Sequence, residues 1–194
     1  MLDTPYGDAV LRRYLRGGWA SRISHSRYFF TGLERSRPVA EFCILAALTD
    51  MGLPVPQPLA ALCDRAGLTY SGSLLMHRIP ATTALADLLN QMPPEDPRWS
   101  LTGRCIRRFH CSGVIHADLN TRNILLSEGD EVFLIDFDRA RIRNASNRAF
   151  ESNLRRLHRS LVKVWPADLR YSLKACWDHL IAGYNAAAEQ TGAE

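Results

Sequence analysis

Residues 114–138 have the sequence VIHADLNTRNILLSEGDEVFLIDFD, and this stretch decides the fold that we expect for the chain. Two apolar runs rich in β-forming residues, Ile124 to Leu126 and Val132 to Ile135, flank the turn-forming residues SEGD. This pattern predicts a β-hairpin. The hairpin would bring Asp136, which follows the second strand, back beside Asn123, which precedes the first strand.

Three oxygen-bearing side chains lie at the ends of these predicted elements: Asp118, Asn123 and Asp136. Asp118 can accept a proton from an attacking hydroxyl group. Asn123 and Asp136 offer hard oxygen ligands to Mg²⁺, the ion that carries nucleotide phosphates. The spacing H-x-D-x-x-x-x-N, followed by an apolar strand and D-F-x, is that of the catalytic and metal-binding loops of protein kinases. The alternative is a structural hairpin in which these residues serve only as turn and cap residues.

The composition is typical of a globular protein. The chain has 194 residues, of which 46% are hydrophobic, so it can form one compact unit or two small lobes. No apolar run approaches the ~20 residues needed to cross a bilayer, and the N-terminal residues do not have the pattern of a signal peptide. The five cysteines include no C-x-x-C pair, so we expect small buried side chains of a reducing compartment rather than disulfides or zinc ligands.

The charge balance favours an anionic partner. The formal net charge is +4, and Lys163 and Lys174 are the only lysines, so nearly all positive charges are guanidinium groups. Guanidinium forks suit phosphate and carboxylate groups, although a solvated basic surface is the simpler alternative. Because the arginine clusters lack regular aromatic interleaving, we expect a nucleotide and an acidic acceptor as partners and no nucleic acid.

The remaining sequence predicts strands first and helices afterwards. The predicted early elements are strands at Ala9–Leu15, Leu59–Cys63 and Leu74–His77, with a helix from Ser36 to about Asp50. Later apolar stripes predict a short helix at Leu85–Leu89, a helix through Leu101 and Phe109, a helix through Leu154 and Leu161, and a last helix beginning near Pro166. The segment Arg78-Ile79-Pro80 interrupts the pattern. We therefore expect an α+β fold with a small β-rich N-lobe over residues 1–79 and a mainly helical C-lobe over residues 80–194.

The order of elements resembles the protein-kinase-like fold, and the motifs resemble a narrower family within it. The matching segments are residues 109–110, 113–120, 123–126 and 135–139, with upstream matches at 12–18, 31–35, 41–42 and 52–58. They are similar to the 3-deoxy-D-manno-octulosonic acid (Kdo) kinases of Gram-negative bacteria, in the lipopolysaccharide kinase group, and the resemblance covers roughly residues 10–165. It implies a two-lobed protein-kinase-like fold whose N-lobe is truncated, because no glycine-rich loop precedes Ala9.

The resemblance implies ATP-dependent phosphorylation of the Kdo sugar of Kdo–lipid A, an anionic glycolipid. It implies ATP and Mg²⁺ as cofactors and peripheral contact with the membrane surface, on the cytoplasmic side of the inner membrane. Two alternatives remain open. One is transfer to another hydroxyl acceptor, such as a heptose, an aminoglycoside or choline, and the other is an inactive, front-truncated pseudokinase. The short link after Asp138, without an A-P-E motif, favours a small or lipid-linked acceptor over a peptide, and basic side chains such as Arg139 would hold its anionic groups.

The family's functional residues map onto this chain at several positions. Asp118 corresponds to the catalytic base, and Asn123 and Asp136 correspond to the residues that hold the metal and its nucleotide. His116 corresponds to a scaffold residue that ties the catalytic loop to the metal-binding loop.

The resemblance also places Glu41 at the glutamate that pairs with a strand lysine in this fold. No lysine precedes Lys163, so this role would fall to Arg12. Arg12 would pair with Glu41 and reach the α- and β-phosphates of the nucleotide. The alternative is that Arg12 and Glu41 are ordinary surface charges.

Overall fold

The structure is a computed structural model, and it describes residues 2–4, 7–14, 27–143 and 146–191. These residues form a mixed α/β fold with three antiparallel sheets. The strands are β1 (Leu2–Thr4), β2 (Gly7–Arg13), β3 (Tyr28–Phe29), β4 (Pro58–Ala66), β5 (Thr69–His77), β6 (Thr82–Ala84), β7 (Val114–Ile115), β8 (Ile124–Ser127), β9 (Val132–Leu134) and β10 (Arg141–Ile142). The α-helices are α1 (Arg37–Asp50), α2 (Leu85–Leu88), α3 (Pro97–Cys111), α4 (Asn147–Val164) and α5 (Leu173–Thr191), and a 3₁₀ turn at Leu89–Gln91 follows α2.

The largest sheet is built around β5. Strands β2 and β3 pair along one edge of β5, and β4 pairs along the other edge. Both β4 and β5 are longer than the sequence predicts, since their ladder continues through the exposed polar residues Asp64 and Arg65 to a turn at Gly67. Aspartate has low β-propensity, so at Asp64 the pairing with β5 overrides the local preference. The predicted strand at Ala9–Leu15 is observed as β2, and Leu15 lies outside the described residues.

Helix α1 has the predicted limits. It begins at Arg37, directly after Ser36, and ends before Gly52, whose φ of +67° suits a residue without a Cβ. The Ser36 hydroxyl donates to the Leu33 carbonyl oxygen rather than capping the helix. The apolar side of α1 contributes Leu45 and Leu48 to the core, which attaches the helix to the sheet.

The predicted hairpin is confirmed as β8 and β9, with Ile124 opposite Leu134 and Leu126 opposite Val132. Strand β6 adds a third strand beside β8. The Ile135 amide donates to the Asn123 carbonyl oxygen at 3.0 Å, which extends the pairing by one step beyond the ladder. The chain on either side of the hairpin is therefore held together where the polar residues begin.

Helices α3 and α5 cross at unusually short distance because both carry glycine at the contact. A Cβ added at Gly103 would lie 2.0 Å from the Leu180 carbonyl oxygen, and one at Gly183 would lie 2.2 Å from that of Ser100. The prediction that the last helix begins near Pro166 is wrong, since α5 begins at Leu173. Residues 167, 168 and 170 are exposed, so no buried face extends the helix towards its predicted start.

The prediction that the cysteine side chains are buried is confirmed for two of the five. All five cysteines are free, and Cys105 and Cys176 are buried. Cys43 and Cys111 are exposed, because they lie on the solvent side of α1 and at the last residue of α3. Within the described ranges, no helix combines the length and the hydropathy that a membrane crossing requires.

His110 generates a prediction about the pH dependence of stability. Its ring stacks on Phe150 with a centroid distance of 4.4 Å, and its Nδ1 lies 2.8 Å from the Tyr184 hydroxyl oxygen. Burial lowers the pKa of His110 from 6.5 to about 4. The unfolded chain therefore binds a proton that the folded chain does not, so stability is complete above pH 6.5 and is lost as the pH falls towards 4.

We expect His110 to lower the free energy of unfolding by about 2 kcal/mol between pH 7 and pH 5. The variant His110→Asn, whose side chain does not titrate in this range, should lose that much of the pH dependence in urea unfolding experiments. His179 is exposed, and His179→Asn is the control that should keep the slope of the unmodified protein. The prediction would be contradicted if the free energy of unfolding of His110→Asn falls between pH 7 and pH 5 as steeply as that of the control.

Candidate active site

Asp118 lies in the loop after β7, and its side chain is 61% exposed. Both carboxylate oxygens meet donors: Arg156 lies 3.3 Å from Oδ1, and the Asn120 amide donates to Oδ2 at 3.1 Å. The carboxylate is thus oriented by two neighbours while most of it remains open to a partner molecule. This combination suits a group that accepts a proton from a bound hydroxyl.

His116 links the Asp118 loop to the segment after β9, as the sequence predicts. Its Nε2 lies 3.0 Å from the Ile135 carbonyl oxygen, and its Nδ1 accepts the Asp118 amide hydrogen at 3.1 Å. A carbonyl only accepts and an amide only donates, so the ring is the neutral tautomer protonated at Nε2. Burial lowers the pKa of His116, which favours the same neutral form. His116 therefore acts as a scaffold residue.

Helix α4 supports the same loop through two residues that sequence reasoning missed. Asn153 is buried, accepts the His116 amide hydrogen at 3.1 Å and donates to the His116 carbonyl oxygen at 2.9 Å. Ser160, seven residues later, accepts the Thr121 amide hydrogen at 3.1 Å. The available signal was the position of Asn153, four residues before Leu157 on the apolar stripe of α4, because a polar residue at a core position needs a partner.

Asn123 and Asp136 line one cleft of about 550 Å³. The Asn123 side-chain amide donates to the Asp118 carbonyl oxygen at 2.9 Å, so its own carbonyl oxygen stays available. Asp136 has a φ of +66°, a left-handed conformation that aspartate tolerates better than most residues. The backbone bond between Asn123 and Ile135 holds the two side chains at the same end of the hairpin.

These two residues fit a magnesium ion by the chemistry of their donors. Each offers a hard oxygen, and Mg²⁺ in nucleotide sites typically takes one or two protein ligands besides water and phosphate oxygens. No group of three or more His, Cys, Asp or Glu residues capable of holding a metal occurs in the described part of the chain. A site of this kind would therefore depend on the nucleotide for further ligands.

Arg12, on β2, lies in the same cleft and bridges two carboxylates. Its Nη1 lies 2.8 Å from Glu41 Oε1, and its Nη2 lies 2.7 Å from Asp136 Oδ1. Burial alone lowers the pKa of Arg12, but the neighbouring Glu41 and Asp136 raise it above its ordinary value. The guanidinium group therefore stays charged, and its fork joins helix α1 to the end of the hairpin.

Glu41 is almost completely buried, with 2% of its surface exposed, which excludes an ordinary surface charge. Besides the contact with Arg12, its Oε1 accepts the Phe137 amide hydrogen at 3.1 Å, and its Oε2 accepts a hydrogen bond from the Tyr14 hydroxyl. Burial raises the pKa of Glu41, against the opposing effects of Tyr14 and Arg12. Burial and the adjacent Glu41 also raise the pKa of Tyr14, so Tyr14 keeps its proton and remains a donor.

Asp138 has a partner that sequence reasoning also missed. Arg37, the first residue of α1, donates from Nε to Asp138 Oδ1 at 3.0 Å, and a second nitrogen of its guanidinium contacts Oδ2. The hydrogen bonds to Asp138 raise the pKa of Arg37. The guanidinium carbon of Arg37 also lies 5.3 Å from the centroid of the Tyr14 ring, within the range of a cation–π contact. Asp138 therefore anchors α1.

The structure thus brings Arg12, Glu41, Asn123 and Asp136 around one cleft, and a side-chain hydrogen bond connects Asn123 to Asp118. The carboxylate of Asp118, the oxygen-bearing side chains of Asn123 and Asp136 and the guanidinium group of Arg12 therefore belong to one connected region of the structure. Such a set of groups can bind a metal-nucleotide complex and direct a hydroxyl group towards its terminal phosphate.

Comparison with known proteins gives matches of three kinds. The model of the lipopolysaccharide kinase (Kdo/WaaP) family matches residues 2–184. A curated 3-deoxy-D-manno-octulosonic acid kinase of Xanthomonas euvesicatoria is 47% identical over 163 residues, which is 84% of this chain and 65% of the relative. One from Stenotrophomonas maltophilia is 48% identical with the same coverage. The solved structure of the Cydia pomonella granulovirus kinase PK-1 matches with 14% identity and a TM-score of 0.43, over 57% of this chain and 41% of that one.

A curated 3-deoxy-D-manno-octulosonic acid kinase of Xanthomonas campestris pv. campestris extends the sequence match to 96% of this chain and 74% of the relative, at 44% identity over 186 residues. The first two relatives are longer, so the chain spans about 65% of their length. The family model covers nearly all of the chain, including every residue of the cleft described above. The chain belongs to the lipopolysaccharide kinase (Kdo/WaaP) family.

Proposed function

We propose that this protein transfers the γ-phosphate of ATP to a hydroxyl group of the Kdo sugar of Kdo–lipid A, in lipopolysaccharide core biosynthesis. The observation that carries the proposal is the network in which Arg12, Asn123 and Asp136 line one cleft while Asn123 holds the loop of Asp118. The relatives named above are 3-deoxy-D-manno-octulosonic acid kinases, which supports Kdo as the acceptor sugar.

We also propose a two-lobed, protein-kinase-like arrangement, with an N-lobe over residues 1–79 and a C-lobe over residues 80–194. Its support is the position of the cleft. One wall comes from β2 and β5, and the other comes from Leu125 on β8 and from Ile135, with Arg78 and Ile79 of the connecting segment also lining it. A cleft between two such parts is where a nucleotide would be enclosed.

The nucleotide side of the mechanism follows from the lining of the cleft. The apolar side chains of Val10, Met76 and Leu125 would hold the base of ATP, and Arg12 would contact its α- and β-phosphates. Asn123 and Asp136 would hold Mg²⁺, which neutralises the charge on the phosphates during transfer. Glu41 keeps Arg12 in place from the buried side, and it also fixes the backbone at Phe137 next to Asp136.

The acceptor side depends on Asp118. The hydroxyl group of the sugar donates its hydrogen to the carboxylate of Asp118, and this proton is transferred as the oxygen attacks the γ-phosphate. The contacts with Asn120 and Arg156 hold the carboxylate in a single orientation. Since Asp118 is exposed, a large glycolipid can reach it without entering the nucleotide cleft.

The acceptor determines where we expect the enzyme to work. Kdo–lipid A is an anionic glycolipid of the inner membrane, so the protein would work at the membrane surface, as a peripheral protein on the cytoplasmic side. Only eight residues, 139–146, connect Asp138 to the first residue of α4, and two of them form β10. This short connection leaves little surface for a peptide acceptor, which favours a sugar.

The first experiment measures transfer of labelled γ-phosphate from ATP to Kdo–lipid A. Asp118→Asn removes the base while keeping a similar shape, and it should lower kcat by about 10²–10⁴-fold. Asp130 is an exposed aspartate in the hairpin turn, and Asp130→Asn serves as the control that should keep full activity. Turnover of Asp118→Asn equal to that of the control would exclude the assigned base.

The same assay tests the acceptor. Transfer to a heptose, an aminoglycoside or choline, with Kdo–lipid A left unlabelled, would replace Kdo by another hydroxyl acceptor. Absence of transfer to all acceptors, together with absence of nucleotide binding, would identify an inactive relative.

Arg12 provides a second prediction. Removing its charge in Arg12→Gln should raise KM for ATP by about 10–100-fold, since hydrogen bonds to charged groups contribute about 1.5–3 kcal/mol. Arg13 follows it on β2, is exposed and points to the other face of the strand, so Arg13→Gln is a matched control. Equal KM values for the two variants would show that Arg12 does not bind the nucleotide.

Asp136 provides a third prediction, measured by thermal unfolding. ATP with Mg²⁺ at about 100 times its Kd should stabilise the protein by about 2.7 kcal/mol, which corresponds to roughly 5–10 °C for a chain of this size. In Asp136→Asn we expect the part of this shift that requires Mg²⁺ to disappear. Asp130→Asn is again the control, because Asp130 has a similar left-handed φ of +60°. A Mg²⁺-dependent shift retained in Asp136→Asn would contradict the assigned ligand.

A further inference from the structure

A second cleft, of about 530 Å³, opens beside Asp118 and shares no lining residue with the nucleotide cleft. Its lining includes Asp118 and Asn120 of the catalytic loop and three basic residues of α4, namely Arg156, Arg159 and Lys163. The proposed base and a group of cations therefore face the same space. An acceptor that lies in this cleft can place a hydroxyl group against Asp118.

The three basic residues form one face of α4, because their spacings of three and four residues place them on successive turns. Arg156 lies 3.3 Å from Asp118 Oδ1. Arg159 and Lys163 are exposed, and within the described part of the chain neither has an acidic partner within 4 Å. Like charges at this spacing repel each other, so the face is arranged to receive a negative charge from another molecule.

The neighbouring Arg155 shows that this arrangement is local. Arg155 lies within 4.0 Å of Glu151 on its own helix, and it lines a different cleft, together with Leu154 and Trp177. Arg159 lines both of these clefts, whereas Arg155 does not line the Asp118 cleft and is paired within its own helix. Val162, which is 57% exposed, adds an apolar side chain to the Asp118 cleft.

We propose that Arg159 and Lys163, together with Arg156, form the subsite that binds an anionic group of the acceptor, a carboxylate or a phosphate. This inference rests on the proposed function and deepens it. Kdo is an acid sugar and therefore carries a carboxylate close to its hydroxyl groups, and the lipid part of the acceptor offers phosphates. Arg159 can bind either group through two parallel hydrogen bonds, and Lys163 adds a point charge.

The subsite also explains how the reacting hydroxyl is selected. An anion held on α4 fixes the acceptor at one point, and Asp118 in the same cleft receives the hydroxyl that lies within reach of that point. A neutral sugar of similar size has no anionic group and cannot make this contact with the cations of α4. It would bind weakly and would sample several orientations, so the anion contributes to the position of the hydroxyl as well as to affinity.

The test compares Arg159→Gln, Lys163→Gln and the double variant with Arg155→Gln, which removes the same charge from the same helix outside the cleft. In the transfer assay we expect KM for Kdo–lipid A to rise about 10-fold in each single variant and further in the double variant, while KM for ATP stays within about twofold of the unmodified value. Arg155→Gln should resemble the unmodified protein. Unchanged KM for Kdo–lipid A in the double variant would overturn the proposal.

Binding of Kdo–lipid A without ATP, measured by isothermal titration calorimetry, separates this inference from the proposed function. If the unmodified protein binds the glycolipid, the double variant does not, and no transfer occurs, the subsite stands and the activity fails. If transfer occurs and the double variant retains both affinity and KM, the activity stands and the subsite fails.

Two modified acceptors identify the anion. In one, the sugar carboxylate is converted to its amide, and in the other, the lipid phosphates are removed. The difference in acceptor KM between the double variant and Arg155→Gln should vanish for the acceptor that lacks the recognised group. A difference that persists equally with both modified acceptors would show that the cations do not bind either anion and would overturn the assignment.

Discussion

The buried carboxylate of Glu41 is the constraint on which the arrangement of the site depends. A charge that is 2% exposed is costly unless donors surround it. Its donors come from separate parts of the chain: Arg12 and Tyr14 from the region of β2, and the Phe137 amide from the segment after the hairpin. All of these donors can reach Glu41 only when the sheet, α1 and the hairpin are packed together. The solvation of one side chain therefore couples the assembly of the fold to the geometry of the cleft.

The left-handed backbone at Asp136 makes this coupling possible. The turn at Asp136 lets the Phe137 amide face Glu41 while the Asp136 carboxylate lies in the cleft beside Arg12. The Phe137 side chain points into the core, where it is fully buried and stacks on Phe109 with a centroid distance of 5.7 Å. Asp136, the proposed metal ligand, is thus supported by its backbone, by the following core residue and by the guanidinium group of Arg12.

The parts of the site that could be predicted from sequence are those that local pattern determines. The hairpin of β8 and β9 follows from two short apolar runs around a turn, and it places Asn123 and Asp136 together without information from the rest of the chain. The contact between Arg12 and Asp136 joins residues 124 positions apart, and no local pattern specifies it. The family resemblance predicts that Arg12 pairs with Glu41 but not that it contacts Asp136, and the structure shows that Arg12 contacts both carboxylates.

Other features depended on packing that periodicity does not reveal. Asn153 and Ser160 contact the catalytic loop because the apolar stripe of α4 turns that side of the helix inward. Pro166 does not begin α5, because most of the stability of a helix comes from packing of one face, and residues 167, 168 and 170 are exposed. Arg37 resembles any other charged residue at the start of a helix, and only the folded chain shows that Asp138 is its partner.

Both clefts are lined by positively charged side chains, one on each side of the Asp118 loop. Phosphoryl transfer spreads negative charge over the transferred group and moves it from the nucleotide towards the acceptor. Arg12 lies on the nucleotide side, and Arg156 contacts Asp118 on the acceptor side. In the proposed reaction, cations on both sides of the reacting groups would stabilise the charge wherever it is largest along this path, and they are in place before the substrates bind. Arg156 contacts one oxygen of the Asp118 carboxylate. In the proposed reaction, this contact would shield the carboxylate from the negative charge of the phosphates. The carboxylate would still be close enough to the acceptor to receive a proton.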